Sequence, residues 1–258
     1  MLSDILTIIR KEWKEMFLRR GSARSGLMNL LIIFGLIGVF MPLQSGPGWL
    51  TDPIGLIIWC WVPVFLALSM VTDAFAGERE RHTLETLLAS RLSDRAILFG
   101  KIGAAVCYAW SVSIVSMLTG ALAVNIAFPG EGFRFYPLPF FVSALAISLL
   151  AAALFSSLGV LVSLRAETAR QAYQRLSVVM LVLWLLPTIG LQFLPEKLGA
   201  RLFSRLQYVN FQNLLIIIIV VLLVANVALI LAAMARFQRA KLILDLGGKR
   251  PDPNPLSL

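Results

Sequence analysis

Six uninterrupted apolar runs, at residues 26–43, 54–76, 97–128, 138–164, 176–194 and 214–235, leave this chain few ways to fold. The hydrocarbon core of a bilayer is about 30 Å thick and takes roughly 20 apolar residues of helix, so each run is long enough to cross it. Within hydrocarbon, only a helix satisfies every backbone N–H and C=O inside a single segment. The expected fold is therefore all-α, a polytopic membrane protein with six transmembrane helices in one domain over 1–258. An interfacial helix at 1–24 precedes spans covering 26–235, and a cytoplasmic tail follows at 236–258.

Composition points the same way. Hydrophobic residues make up 59% and charged residues only 14%, against about a quarter charged in soluble domains. The net charge of +9 does not mark a nucleic-acid binder, because the basic residues lie between apolar runs rather than among aromatics on a soluble module. Cys60 and Cys107 sit inside apolar runs with no partner at ligand spacing, which argues against a disulfide framework or a zinc site. Eight charged residues in the first twenty exclude a cleavable signal peptide, whose core is apolar. The N-terminus is expected to be mature as written.

An even number of spans puts both termini on one side. Of the 23 lysines and arginines, 19 fall on that side, counting Lys101 at the edge of the third run, and 4 fall in the opposite links. Positive charge is retained on the cytoplasmic face, so both termini are expected there, in the inner membrane of a prokaryote.

The outer links at 42–53 and 128–139 are short and rich in turn residues and aromatics, as interfacial anchors are. In the third outer link Lys197, Arg201 and Arg205 recur every fourth residue beside Leu194, Leu198, Leu202 and Leu206. This spacing predicts a short external amphipathic helix before the last span. Its basic side chains either reach lipid phosphates or border a substrate exit. At the N-terminus Leu2, Ile5, Leu6, Ile9, Trp13, Met16 and Phe17 recur at threes and fours, with Arg10, Lys11, Lys14 and Glu15 elsewhere on the wheel. An amphipathic helix on the cytoplasmic leaflet is predicted, Trp13 inward, as an anchor or as a contact for a cytoplasmic partner.

Between the second and third runs the chain reads Glu78-Arg79-Glu80-Arg81-His82-Thr83-Leu84-Glu85-Thr86-Leu87-Leu88. Charges alternate, then Leu84, Leu87, Leu88 and Leu92 fall at helical spacing. An Arg81–Glu85 pair contributes about 0.3–0.5 kcal/mol, too little to hold a helix alone. The leucines need an apolar receiver, either the chain's own helix ends or the groove of a docked protein.

This stretch resembles the signature loop in permeases of type-2 ABC (ATP-binding cassette) transporters. There a Glu-Arg/Lys-Glu run leads into Gly-Thr-Leu-Glu-x-Leu-Leu, a polar turn, and a Gly-Lys that opens the next span. Glu78-Arg79-Glu80, Thr83-Leu84-Glu85, Leu87-Leu88 and Gly100-Lys101 carry the likeness, while His82 and Arg91 depart from it. The resemblance implies that 77–95 holds a coupling helix docking on a separate ATPase. Glu78, Arg79, Glu80, Thr83, Leu84, Glu85, Leu87 and Leu88 would form the contact. It further implies a chain that is no enzyme, forms half of an export pathway, and works with two ATPase copies and a second permease, identical or paralogous. ATP and Mg would sit on the ATPase, with no cofactor on this chain. The competing reading of the loop is a solvated linker helix.

Asp73, near the end of the second run, and Lys101, near the start of the third, are read as snorkelling side chains, as a structural pair or as a gating contact. Ala144, Ser148, Ala151, Ala152, Ser156 and Gly159 permit close helix packing, within the chain or against a second permease. His82 is the sole histidine, and an acid–base or metal site needs partners. No phosphate-cradling loop occurs, since Gly100-Lys101 is followed by Ile102 and Gly248-Lys249 by Arg250. A secondary transporter or channel independent of any ATPase is the alternative class. It would place ionisable groups or broken helices at the midplane, where the runs offer Asn29, Asn125, Gln192, Asn226, Pro63 and Pro187. A membrane-embedded enzyme ranks third, because clustered acids and histidines are lacking.

Overall fold

The computed structural model describes residues 1–18, 28, 30–81, 83, 89–130, 132–166, 168–192 and 211–237. Every regular element among these residues is helical. Helix α1 spans Leu2–Leu18 and α2 Leu30–Leu50. Helix α3 covers 53–80, as Pro53–Thr72, a π-helical turn Asp73–Gly77 and a last turn Glu78–Glu80. Then follow α4 (Asp94–Ala127), α5 (Leu138–Ser163), α6 (Ala169–Gln192) and α7 (Phe211–Arg236). Five stretches among the described residues are long and apolar enough to cross a membrane, in α2, α3, α4, α5 and α7. Residues 176–192 of the fifth apolar run lie within α6. The external helix expected around Lys197, Arg201 and Arg205, and the tail 238–258, lie outside the described residues.

Several boundaries differ from those drawn on the sequence: α2 runs on to Leu50 through most of the link expected at 42–53, and α6 starts at Ala169 rather than 176. The second span does not give way to a loop at Gly77; its helix runs on to Glu80, so the first charges of the supposed loop belong to a helix end. The third span starts at Asp94, where the Ser93 hydroxyl accepts from the Ala96 N–H at 3.2 Å and caps the first turn. At 1.5 Å per residue, the 34 residues of α4 extend about 51 Å, well beyond a core of about 30 Å. Part of it therefore stands clear of the hydrocarbon, and α1 docks along its first turns.

Close packing holds the spans together. Gly159 in α5 lies so near α3 that a Cβ there would meet Val71 at 2.9 Å, so the small-residue stripe packs against this chain's own second span. Trp110 of α4 donates to the Leu145 carbonyl at 3.1 Å, and Asn226 of α7 to the Leu150 carbonyl at 2.9 Å. Both bonds tie neighbours to α5. At the end of the bundle where α2 meets α3, Trp49 and Trp59 meet edge to face with centroids 6.0 Å apart, and the Tyr136 hydroxyl donates to the Met117 carbonyl at 3.2 Å. The link 128–137 is held by Asn125, whose amide accepts from and donates to the Arg134 backbone, both at 2.7 Å. Gly46 at φ 62° turns the chain at the end of α2, a conformation that costs other residues more.

Candidate functional site

The end of the bundle where α3 gives way to α4 is organised around Lys101. It lies in the second turn of α4, where Ile97, Leu98 and Ile102 are buried with Ile8, Val71 and Phe75. An ammonium in such surroundings must be paired, and Lys101 has only three protons to give. It donates to Glu12 Oε1 at 2.8 Å and to the Ala74 carbonyl at 2.7 Å, and is ion-paired with Glu78 Oε1 at 2.9 Å. Its Nζ also lies 5.3 Å from the centre of the Phe75 ring. Lys101 is 1% exposed, so it neither snorkels nor pairs with Asp73 as the sequence suggested. Asp73 is instead ion-paired with Arg81, eight residues further on.

Each acid comes from a different helix. Glu12 is carried by α1, which is rotated so that Ile8 and Glu12, rather than the centre of its apolar stripe, face the bundle. Leu2 and Leu6 are left exposed on the outer side. Two contacts fix the docking: the Trp13 indole donates to the Ala104 carbonyl at 3.1 Å, and Gly100 is so close that a Cβ would meet Ile8 at 2.7 Å. Glu78 is carried by the last turn of α3. It is 4% exposed, and its Oε1 also takes Lys11 at 3.1 Å, while its Oε2 is buried without a hydrogen-bond partner. Burial alone would lower the pKa of Lys11, but Glu78, then Glu12 and Glu15, outweigh it and hold the ammonium above its ordinary value. The four groups Lys11, Glu12, Glu78 and Lys101 sum to zero charge.

The next two residues reach elsewhere. Arg79 sends Nη1 to the Ala166 carbonyl at 2.8 Å and Nη2 to the Leu164 carbonyl at 2.9 Å, placing a cation on the carbonyl end of α5. Glu80 Oε2 accepts from the Ala169 N–H at 3.2 Å, placing an anion on the amide end of α6. Thr83 folds back on the same turn, its N–H donating to the Glu78 carbonyl at 3.0 Å. Three consecutive side chains thus join α3 to α1 and α4, to α5, and to α6.

Glu78, Arg79 and Glu80 are also the contacts that the resemblance assigns to an ATPase. Their charged groups engage this chain's own helix ends, and Glu78 offers no exposed surface in this arrangement. Leu84, Glu85, Leu87 and Leu88, together with His82, lie outside the described residues. Sequence reasoning missed Lys11 and Glu12 altogether. Their signal was slight: Glu12 flanks the apolar stripe of α1, and a lysine inside the third run has to find an acid somewhere.

No curated protein sequence matches the chain. The family model described as ABC-2 family transporter protein matches residues 11–217, from the α1 face that carries Glu12 to the first turns of α7. The chain therefore belongs to the ABC-2 transporter family, the membrane permease components of ABC transporters.

Proposed function

We propose that this protein is the transmembrane subunit of an ATP-driven exporter, forming half of the translocation pathway and coupled through 77–95 to a separate ATPase. The observation that carries this reading is the run Glu78-Arg79-Glu80, which gathers the inner ends of five helices immediately before the loop. A push delivered to that loop reaches every one of those helices. The labour is divided: Thr83, Leu84, Glu85, Leu87 and Leu88 meet the ATPase, and Glu78, Arg79 and Glu80 pass the displacement on.

In this reading α6 supplies the sixth span, both termini face the cytoplasm of a prokaryote, and the inner membrane houses the complex. Two ATPase copies hold ATP and Mg, this chain holds no cofactor, and a second permease, identical or paralogous, completes the pathway. Lys197, Arg201 and Arg205 lie at the outer surface, against lipid phosphates or the substrate exit. Asp73 and Lys101 act as structural and gating contacts at the inner end, not as midplane sites, which favours this reading over a secondary transporter.

Replacement of Leu87 and Leu88 by serine tests the proposal. Each buried leucine contributes roughly 1.5–3 kcal/mol, so the double variant should release the ATPase during co-purification. Membrane insertion should stay unchanged. Wild-type co-purification and wild-type substrate-stimulated hydrolysis in that variant would make the loop a solvated linker and end this reading.

A further inference from the structure

A cavity of about 400 Å³ opens between the first turn of α4 and the last turn of α7. Asp94, Arg95 and Leu98 line it from α4, and Leu231, Met234 and Phe237 from α7. Its rim and its floor differ in kind. Arg95 is exposed at the rim and has no hydrogen bond or ion pair among the described residues. Asp94, the one acid there, is already engaged. The floor is apolar, and Leu98 and Phe237 belong to the buried cluster around Ile8 and Phe75.

A second feature extends the first. Val224, Val227 and Leu231 follow one another at three and four on α7, so they share one face. They are 62%, 53% and 57% exposed, making an uncovered apolar track that ends in the cavity. An occupant that fits both parts has an anion at one end and a long hydrocarbon chain at the other.

We propose that this cavity is a binding site for one anionic phospholipid, its phosphate on Arg95 and an acyl chain along Leu231, Val227 and Val224. Arg236, exposed and likewise without a partner among the described residues, adds positive charge at the same end of α7. The lipid would touch Phe237, whose ring meets Phe75 edge to face at 5.7 Å, beneath Lys101. The site adds to the proposed function without resting on the ATPase contact.

The test uses the purified full-length chain in detergent, titrated with dioleoylphosphatidylglycerol and followed by native mass spectrometry. One lipid per chain should bind more tightly than dioleoylphosphatidylcholine. Arg95→Gln should weaken the anionic lipid roughly five-fold, the loss expected for one basic residue at a phosphate surface, and leave the zwitterionic one unchanged. Leu231→Trp should weaken both by filling the track. Arg95 is exposed and unpartnered, so its replacement leaves the fold intact, with gel filtration as the control. Unchanged binding in Arg95→Gln overturns the proposal. So does displacement by glycerol phosphate, which would mean an anion site with no lipid specificity. A chain ended at residue 237 that gains lipid affinity would assign the cavity to the tail. Because no ATPase is present, failure here leaves the coupling reading standing, and failure of coupling leaves this site standing.

Discussion

Lys101 and Glu12, 89 residues apart in the chain, meet at 2.8 Å as a buried pair. An ion pair of that kind is a commitment, because either partner left alone is an uncompensated buried charge. Lys101→Met should therefore destabilise the protein by about 3–5 kcal/mol, since it strands Glu12 and Glu78 together. The triple variant Glu12→Gln, Glu78→Gln, Lys101→Met should recover most of that loss, because neutral groups of similar shape replace the whole cluster. Thermal unfolding in detergent distinguishes the two. A triple variant no more stable than Lys101→Met would show that packing, not charge, sets the cost.

The docking of α1 should be sensitive to a single methyl group. Gly100→Ala places a Cβ 2.7 Å from Ile8, whereas Gly103→Ala meets Ile9 at 3.3 Å, a contact that a small shift relieves. The first should loosen α1 and expose Trp13 to a soluble quencher, and the second should not. Equal quenching in the two variants would mean that α1 is held by its ion pairs alone.

Arg79 offers a separation of contact from transmission. Arg79→Gln loses both charge-assisted bonds to the end of α5 but leaves Leu87 and Leu88 in place. The ATPase should still co-purify, with transport reduced by about ten-fold, as expected for loss of roughly 1.5 kcal/mol or more of charge-assisted bonding. Full transport in that variant would remove Arg79 from the coupling route.

The dependence on pH follows from Lys11. Its pKa in the folded chain lies above the ordinary 10.5, so the charged form is favoured by folding. The stability that this adds is fully present below 10.5 and is lost as pH rises through the folded value. Thermal stability should show this contribution as flat from pH 7 to about 10 and falling above it. Lys11→Met should remove the alkaline part of that fall. A variant that keeps the same alkaline slope would exclude Lys11 as its source.

Orientation can be read directly. A cysteine placed at Gly130, in the link 128–137 beyond α4, should react with an impermeant reagent from outside the cell, and one placed at Ser90 only from within. The reverse pattern would invert the assignment that the basic residues make.

The helical class, the apolar runs and the family motif could all be read from the chain, because hydrophobic length and composition leave little freedom in a membrane. Which side chains pair could not. A wheel drawn at 100° per residue assumes an unbroken α-helix, but the π turn at Asp73–Gly77 inserts an extra residue and redirects Glu78, Arg79 and Glu80. Asp73 and Lys101 looked like partners because they flank one loop, yet the acids that reach Lys101 come from α1 and from beyond the turn. Alternating charges usually signal a solvated face. Here the first three are engaged by this chain itself, because α1, α4, α5 and α6 offer them lysines, carbonyls and an amide, and only Glu80 stays exposed.

The end of α3 is gripped like a shaft in a three-jaw chuck. Successive side chains leave a helix at about 100° to one another, so Glu78, Arg79 and Glu80 pull in three directions around one axis. No rotation of the shaft preserves two grips while it frees the third. A rotation of this end of the span therefore loads all three contacts together. In the proposed coupling, a force on the loop would have to work against all three contacts at once.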